Sequence, residues 1–503
     1  MLYRGWNILQ PTISFNVIQR SDILVWCGLL LGITGILTAE EVYPGYTLFS
    51  PLPSQSAGDG TQIYLLGPDE DMVHTWAVEY GSSMNPYLLP DSSVYYPYRT
   101  PNPTMETGGT GGGLIRLDWD GNVLWEYLIS EPNLQAHHDI EILPNGNLLV
   151  IAWQRKTAAE AFAMGRLNIA NPLNEMWVDM ILELQPIGSD DALVVWEWHL
   201  WDHLIQDQNP DLPGYGMISE HPELMNINFG GVGGIGPGGP HADWTHFNCV
   251  SYHAELDQIL ITSRLFHEVF IIDHSTTSAE AASHSGGNSG KGGDFLYRWG
   301  NPQTYGLGTA DDQVLSGPHG GVWINDDYPG AGNILIFNNG LHWGNSEVIE
   351  LVPPLNNEEL YSFIAGSPFG PADAVWTYSD TYFYSTALSG ALRLPNGNTL
   401  VTVADDLRIF EIAPSGQTLW DYSLLGGIIA IPRAVKYDLD YFTADNILFG
   451  DINNDSLLDI LDIVAIVGII LQLDPWPPAA DINQDDLVDI LDVILLVDLI
   501  LFN

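Results

Sequence analysis

Short runs of apolar residues alternate with Gly-, Asn- and Asp-rich turns between about residues 60 and 445. β-branched and aromatic residues are frequent in these runs, and no long segment has apolar residues at helical spacing. A Pro-Asn-Gly-Asn turn, at 144–147 and 395–398, leads into an aliphatic run. A second kind of run closes on tryptophan, and its copies lie at 73–76, 123–127, 194–198, 296–299, 374–378 and 418–422. The pattern predicts an all-β region built from six similar units.

Six repeated units favour a six-bladed β-propeller, in which four-stranded sheets surround an axis and leave only short exposed edges. A β-sandwich is the alternative, but two packed sheets have no need for six copies of one closing run. We expect the tryptophans to pack between blades. Gly-rich stretches, which lie at 108–113, 228–240 and 283–293, are predicted to be loops on the surface or at a pocket mouth.

The N-terminal segment, residues 1–39, has a different pattern. Two arginines precede an apolar run at 23–37 and the small residue Ala39, an order typical of a cleaved secretory signal peptide. The run is shorter than the roughly 20 residues of a membrane-spanning helix, so cleavage is favoured over a retained anchor. The mature chain, with its propeller at 40–445, is predicted to be secreted to the periplasm, the cell surface or the medium.

The last segment, 450–503, contains two twelve-residue loops that repeat thirty positions apart. Carboxylate and amide oxygens stand at positions 1, 3, 5, 9 and 12, and a backbone carbonyl is available at position 7, a spacing that wraps one chain segment around Ca²⁺. Each loop leads into an apolar run, at 463–471 or 493–501, that is predicted to be a helix. The predicted ligands are Asp451, Asn453, Asp455, Leu457, Asp459, Asp462, Asp481, Asn483, Asp485, Leu487, Asp489 and Asp492.

This tail resembles the dockerins, small α-helical domains with paired EF-hand-type calcium loops that bind cohesin domains of extracellular assemblies. The resemblance implies structural Ca²⁺ as a cofactor and a cohesin-like or cell-surface partner. A tail that only stabilises the chain is the alternative.

The charge of the chain restricts its partners. Acidic residues outnumber basic ones 63 to 14, which gives a formal net charge of -49. Such a chain repels nucleic acid and anionic lipid, so neither is an expected partner. The two cysteines are Cys27, in the predicted signal peptide, and Cys249, so no disulfide is predicted within the mature chain.

Three segments place histidines where predicted strands begin, the position from which a rigid β scaffold projects functional side chains. An imidazole offers a nucleophile or an acid–base group near neutral pH, and a guanidinium offers fixed positive charge. Together these groups suit the transfer of an anionic group. The residues concerned are His137, His138, His246, Asn248, Arg264 and His319.

The remaining histidines carry less information. His199 and His203 are four residues apart and would share one face of a helix as zinc ligands. Without a clear third ligand, a zinc site is not the favoured interpretation. Six more histidines are interpreted as ordinary polar side chains: His74, His221, His253, His267, His274 and His284.

Several ordered motifs resemble those of the bacterial arylsulfate sulfotransferases, secreted six-bladed propellers that move a sulfuryl group between phenols. The similarity extends over about residues 43–442. It rests on the His-His-Asp and Leu-Pro-Asn-Gly-Asn motifs within 137–147, Asp-Trp-Thr-His-Phe-Asn at 243–248, Thr-Ser-Arg at 262–264, and Tyr-Arg-Trp-Gly-Asn-Pro at 297–302 ahead of His319.

The resemblance implies a ping-pong reaction in which His319 attacks the sulfur of an aryl sulfate and is transiently sulfated before a phenol accepts the group. It implies neither an organic cofactor nor a nucleotide sulfate such as PAPS. Four residues are implied to bind the sulfate oxygens and to handle the phenolic proton, namely His138, His246, Asn248 and Arg264.

Two positions leave the identity of the acceptor substrate undecided. His137 competes with His138 for the same role, and Phe247 stands where a smaller residue is expected, so we expect His137 or Phe247 to contact the substrate. A bulkier or carbohydrate-like acceptor is then an alternative to a simple phenol. The alternative function is a non-catalytic secreted propeller that binds sulfated or anionic ligands and is anchored through its calcium tail. A homodimer is compatible with either function.

Overall fold

The structure is a computed structural model of the chain. The predicted signal peptide at 1–39, and with it the alternative of a retained anchor, lies outside the described residues. Val42–Asn503 forms one compact unit, and none of the described helices is long and apolar enough to cross a membrane. The described residues are 41–53, 61–236, 238–356, 360–380, 383–424, 428–442, 450, 452, 458, 460–472, 480, 482 and 487–502.

Six antiparallel sheets form the six blades of a β-propeller, as the repeated closing runs predict. From one edge of each sheet to the other, blade 1 comprises Ala434–Asp438, Gly45–Phe49, Thr61–Leu66 and Met72–Val78; blade 2 comprises Tyr87–Leu88, Val94–Arg99, Gly112–Leu117 and Val123–Leu128; and blade 3 comprises Ser130–Glu131, Leu134–Ile142, Leu148–Thr157, Glu175–Ile187 and Asp191–His199. Blade 4 comprises Phe247–His253, Gln258–Ser263, Glu268–Asp273 and Tyr297–Trp299; blade 5 comprises His319–Trp323, Ile334–Asn338, Glu347–Leu351 and Trp376–Tyr378; and blade 6 comprises Gly390–Arg393, Thr399–Val403, Arg408–Ile412 and Thr418–Ser423.

Blade 1 closes the ring because it contains strands from both ends of the propeller. Ala434–Asp438 pairs in antiparallel register with Gly45–Phe49, so that Ala434 lies opposite Phe49. Leu134–Ile142 of blade 3 and His319–Trp323 of blade 5 both contact Phe247–His253 of blade 4. The described part of the propeller has one buried apolar cluster at each of the six interfaces between neighbouring blades. Strands packed on both faces are continuously apolar for this reason.

The closing runs are the outermost strands of the blades, and their tryptophans connect each blade to the next. In blade 1, Trp76 donates from its indole nitrogen to the carbonyl of Asp118 in blade 2, at 2.9 Å. In blade 2, Trp125 donates in the same way to Asp191 of blade 3, at 2.8 Å. In blade 6, Trp420 donates from its indole nitrogen to the carboxylate of Glu70 in blade 1, at 2.9 Å. The predicted packing of these tryptophans between blades is confirmed.

The remaining elements are short or lie in the tail. Short strand pairs join Leu52–Pro53 with Ile428–Ala430, Leu204–Ile205 with Met225–Asn226, and Gly234–Gly236 with Gly239–His241. Among the described residues, the α-helices are Ala158–Ala163, Ser278–Ala281, Ile460–Gln472 and Ile490–Phe502, and the 3-10 helices are Leu200–Asp202, Ile218–Glu220, Pro302–Tyr305 and Ala310–Asp312.

In the tail, both long helices follow the predicted calcium loops and pack on a small core that contains Ile466, Ala480 and Leu496. The carboxylate of Asp462 accepts from the backbone N–H of Ile452 at 2.8 Å. Thirty residues later, the carboxylate of Asp492 accepts from Ile482 at 2.9 Å. Leu487 and Asp489 are also described. The other predicted ligands lie outside the described residues: Asp451, Asn453, Asp455, Leu457, Asp459, Asp481, Asn483 and Asp485.

Candidate active site

One cavity of about 740 Å³ lies beside the strand Leu134–Ile142 of blade 3 and the starts of the strands Phe247–His253 of blade 4 and His319–Trp323 of blade 5. Its wall contains His138, His246, Arg264 and His319, and we call it the histidine cavity. Four side chains that the sequence singled out from separate segments are therefore brought together. Much of the remaining wall is apolar or glycine, with Leu52, Gly108, Gly109, Gly230, Gly231, Trp244, Leu265, Leu388 and Ile429.

Each histidine segment interrupts the regular pairing of its strand. Register shifts, which mark β-bulges, lie between Ala136 and Ile140, just after His246, and directly after His319. His138 and His246 have φ angles of 53° and 54°, a left-handed conformation that bulky residues seldom adopt. Bulges re-aim side chains, and strained residues cluster at functional sites. The local backbone thus turns both rings away from the directions that a regular strand would give them.

The hydrogen bonds of His319 determine which of its ring nitrogens can react. Nδ1 lies 2.7 Å from Oδ1 of Asn339 and 3.1 Å from the carbonyl of Gly317. The amide group of Asn339 is itself oriented, because its Nδ2 donates to the carbonyl of Ser385. Both neighbours of Nδ1 are therefore acceptors, so Nδ1 carries the proton and Nε2 keeps its lone pair. Burial, together with the charge of Arg264, lowers the pKa of His319 to about 3, which keeps the ring neutral.

His246 is held by a buried carboxylate. Its Nδ1 donates to Oδ2 of Asp243 at 2.5 Å. Burial alone would raise the pKa of Asp243, but the neighbouring imidazole of His246 outweighs burial and lowers it. The carboxylate therefore stays ionised and holds the Nδ1 proton of His246, and this ring lines the cavity.

A chain of three buried side chains lies behind His138. Its Nδ1 is 2.8 Å from Nδ1 of His137, and Nε2 of His137 is 2.8 Å from Oδ1 of Asp179. The carboxylate places the proton of His137 on Nε2, so that His138 donates from Nδ1 and its Nε2 keeps a lone pair toward the cavity. Burial, followed by the charges of His246 and His137, holds the pKa of His138 well below its usual value. The neutral ring of His138 is thus connected to a buried carboxylate through His137.

Arg264 differs from the other arginines in the described part of the chain. Eight of the nine donate to a carboxylate or to backbone carbonyls, whereas among the described residues no such acceptor pairs with the guanidinium of Arg264. In a chain with a net charge of -49, a guanidinium left without a carboxylate in a concave wall is a site for an anion from outside the protein. Its planar fork matches two oxygens of such an anion.

Three predicted site residues lie elsewhere. His137 does not line the cavity; it stacks on Trp153 with ring centroids 3.9 Å apart. Asn248 is buried and donates from Nδ2 to the carbonyl of Pro318 at 2.8 Å, so it supports the segment that carries His319. The expectation that Phe247 contacts the substrate is wrong, because this ring is fully buried in the apolar cluster between blades 3 and 4. The left-handed backbone at the preceding residue turns it into that cluster.

Sequence reasoning missed several residues that orient the site. Asn339 was not singled out and Asp179 was given no role, because their partners His319 and His137 lie on other strands. Asp243 was also given no role, although its partner His246 is only three residues away. Gly109 packs directly on the ring of His138: a Cβ atom there would lie 1.9 Å from Cε1 and Nε2 of that ring. The Gly-rich stretches at 108–113 and 228–240 do contribute to the wall of the histidine cavity, as predicted for loops at a pocket mouth.

Solved structures show distant likeness. A Bacteroides caccae protein of unknown function has 13% identity and a TM-score of 0.41, over 78% of this chain and 98% of that one. A Pseudomonas aeruginosa periplasmic gluconolactonase has 11% identity and a TM-score of 0.38, over 78% and 99%. Virginiamycin B lyase from Staphylococcus aureus has 11% identity and a TM-score of 0.31, over 75% and 85%. All three TM-scores are below 0.5, so these likenesses carry no argument.

No curated protein matches the chain significantly in sequence. The family model of the arylsulfotransferases (ASST), by contrast, matches residues 98–411, more than half of the 503 residues. This range contains His138, His246, Arg264 and His319, the four side chains that meet in the histidine cavity. The chain belongs to the arylsulfotransferase family.

Proposed function

We propose that this protein transfers a sulfuryl group from an aryl sulfate to a phenol through a sulfated His319. The observation that carries the proposal is the pairing, in one cavity, of an arginine without a carboxylate partner and a histidine whose Nε2 is held unprotonated. The first group binds an anionic sulfate, and the second is a nucleophile at neutral pH. Neither group requires an organic cofactor.

In the first half-reaction, Nε2 of His319 attacks the sulfur of the aryl sulfate, and the bond from sulfur to the phenolic oxygen breaks. The sulfated ring carries positive charge, and its Nδ1–H donates to Oδ1 of Asn339 and the carbonyl of Gly317. Arg264 donates to the sulfate oxygens, where negative charge is concentrated, and the ring of His246, held by Asp243, lies beside them. These donors are fixed before the reaction begins, so no reorganisation is required as charge moves.

The proton balance assigns a role to the buried chain behind His138. In the second half-reaction, the acceptor phenol attacks the sulfur, its proton goes to Nε2 of His138, and neutral His319 is released. The positive charge of this proton moves from His138 through His137 toward Asp179, whose Oδ1 lies 2.8 Å from Nε2 of His137. This path keeps the positive charge away from Arg264. In the next cycle the proton returns through His138 to the departing phenolate. Each full cycle thus exchanges one phenol for another without net proton uptake.

The cavity wall also supports an aromatic substrate. Leu52, Leu265 and Ile429 provide apolar surface beside the charged groups, and an aryl ring gains free energy when it leaves water for such a surface. Because Phe247 is packed inside the protein, it does not narrow the cavity. A simple phenol therefore fits the proposal as well as a bulkier acceptor does.

The proposal is tested with p-nitrophenyl sulfate and a phenol acceptor, in calcium buffer and without any nucleotide sulfate. We expect release of p-nitrophenol to depend on the acceptor and to fall by about 10⁴-fold or more in His319→Asn. His342→Asn is the matched control, because this exposed histidine lies in the same blade but outside the cavity. Transfer that survives in His319→Asn contradicts the proposal. Ligand binding without any turnover of the wild type indicates a binding propeller instead.

For the tail, we propose that both loops bind Ca²⁺ and that the folded pair of helices attaches the secreted enzyme to a cohesin-like or cell-surface partner. The support is the internal repeat, since Asp462 and Asp492 hold the backbone of their loops in the same way. Carboxylate and amide oxygens are the ligands that Ca²⁺ prefers. Apolar side chains on both helices, such as Val464 and Ile494, are exposed and provide surface for such a partner.

A further inference from the structure

A second group of potential ligands lies outside the histidine cavity. Nitrogen atoms of His203 and His284 and a carboxylate oxygen of Asp294 all lie within 4.8 Å of one another. His203 follows the 3-10 helix Leu200–Asp202 after blade 3, and the other two lie on or beside the Gly-rich loop 283–293 of blade 4. Loop and blade thus meet at these three side chains.

The pair of His199 and His203 considered from sequence does not form. His199 ends the outermost strand of blade 3, and its Nε2 lies 3.4 Å from Glu197. The chain then makes a 3-10 turn rather than an α-helix, so residues four apart do not share a face. The neighbours of His203 are instead His284 and Asp294, which lie 81 and 91 residues further along the sequence. The residues close to His203 in the sequence therefore did not predict this group.

The hydrogen bonds of His203 orient it as a ligand. Its Nε2 is 2.7 Å from the carbonyl of Ala281, which only accepts, so Nε2 carries a proton. Nδ1 of His203 lies 2.8 Å from Oδ1 of Asp294, so a metal ion that binds both atoms would replace a proton between them. Nδ1 of His284 lies 2.8 Å from the same oxygen. A histidine that donates its second N–H to a backbone carbonyl is the usual arrangement behind a metal ion.

We propose that His203, His284 and Asp294 bind a divalent transition metal, with Zn²⁺ as the best match to two imidazoles and one carboxylate. His203 is fully buried and Asp294 is 6% exposed, whereas the side chain of His284 is 61% exposed. The open side leaves room for a water molecule as fourth ligand. A chain with 63 acidic and 14 basic residues also attracts cations to its surface.

The proposed metal holds the Gly-rich loop 283–293 against blade 3. Glycine loses more backbone entropy on ordering than other residues. A metal ion bound at the end of this Gly-rich loop would therefore offset part of the entropy cost of ordering it. Trp198 connects the site to the blade, because it stacks on His203 with ring centroids 5.6 Å apart and donates to the carbonyl of Gly293. None of the three ligands lines the histidine cavity, so the site is structural and independent of the proposed transferase activity.

The test is titration of the full-length protein with Zn²⁺ by calorimetry, in excess Ca²⁺ so that the tail is saturated. We expect one site that His284→Ala weakens by at least about 10-fold. His284 is exposed, so its replacement leaves the core intact. His221→Ala is the matched control: it removes an exposed histidine, 2.9 Å from Glu223, that belongs to no such triad, and it should leave the affinity unchanged.

A second readout is the visible absorption of bound Co²⁺ together with proteolysis of the loop. Metal should protect 283–293 in the wild type and in His221→Ala but not in His284→Ala or Asp294→Asn. Equal Zn²⁺ affinity in the wild type and His284→Ala, or equal losses in His284→Ala and His221→Ala, would show adventitious binding to an acidic surface and overturn the proposal.

Discussion

Replacement of Gly109 by alanine tests the position of His138 without touching any group proposed to react. Gly109 has a φ of 77°, and an added Cβ atom would lie 1.9 Å from two atoms of the His138 ring. Non-bonded carbon atoms approach to about 3.5 Å, so the ring has to move by more than about 1 Å. We expect Gly109→Ala to displace Nε2 of His138 and to slow transfer.

The size of the effect follows from a comparison with Gly121→Ala. Gly121 has a φ of 83° and no atom within 4 Å of its added Cβ, so it shares the backbone strain but not the collision. Alanine in this left-handed conformation costs about 1–2 kcal/mol in both variants, and the collision should cost Gly109→Ala about 1–3 kcal/mol more. A misplacement of about 1 Å near reacting groups lowers rates by about 100-fold. Only Gly109→Ala should show that loss.

The assay measures kcat/KM for p-nitrophenyl sulfate with a phenol acceptor, and urea unfolding measures stability. Both variants should remain folded in the absence of urea and differ by about 100-fold in kcat/KM. If Gly109→Ala is as active as Gly121→Ala, the position of His138 does not matter for transfer, and the proton path through this residue is wrong.

Five further predictions concern the histidine cavity and the tail. Arg264→Lys keeps the charge but loses the fork, so kcat should fall by about 10²-fold; an unchanged kcat would contradict sulfate binding there. Asp179→Asn should slow transfer by about 10²-fold for poor phenolate leaving groups and much less for p-nitrophenyl sulfate, and a loss independent of the leaving group would reduce Asp179 to a structural role. Because the pKa of His319 is lowered to about 3, the rate of enzyme sulfation by p-nitrophenyl sulfate should stay level down to about pH 5; an acid limb near the ordinary histidine pKa would contradict this. Between these two pKa values the unfolded chain binds more protons than the folded one, so the His319 contribution makes the protein less stable as pH falls, which acid unfolding measures. Finally, chelation of Ca²⁺ should expose 450–503 to protease while the propeller stays resistant, and an equally resistant tail would contradict calcium-dependent folding.

The blade count was predictable from sequence because each blade repeats one local pattern. A run that ends on tryptophan is the outermost strand of a blade, and the indole of Trp76 or Trp125 reaches the next blade. Because the local sequence pattern agrees with the overall fold at these strands, the number of blades can be predicted without knowledge of long-range contacts. The convergence of His138, His246 and His319 was expected because each was predicted to lie at the start of a strand. The structure places His246 and His319 there, but His138 lies at a bulge within Leu134–Ile142.

The orienting contacts could not be predicted, because they depend on bulges and on register between distant strands. Asn339 meets His319 across two strands of blade 5, and nothing in either local sequence specifies this pair. Phe247 was assigned to the substrate because it lies between two polar residues, but the backbone at His246 is left-handed and the ring packs into the core. Asp294 lies 91 residues from His203, a separation at which spacing carries no information.

The most direct test of the central claim is to trap the enzyme during turnover. Wild-type protein is mixed with p-nitrophenyl sulfate without acceptor, quenched in alkali to protect a nitrogen–sulfur bond, and digested for mass spectrometry. The account predicts one sulfuryl group on the imidazole of His319, which disappears when phenol is added before the quench and is absent from His319→Asn. A sulfuryl group on another residue, or turnover with no sulfated enzyme at any time, would contradict it.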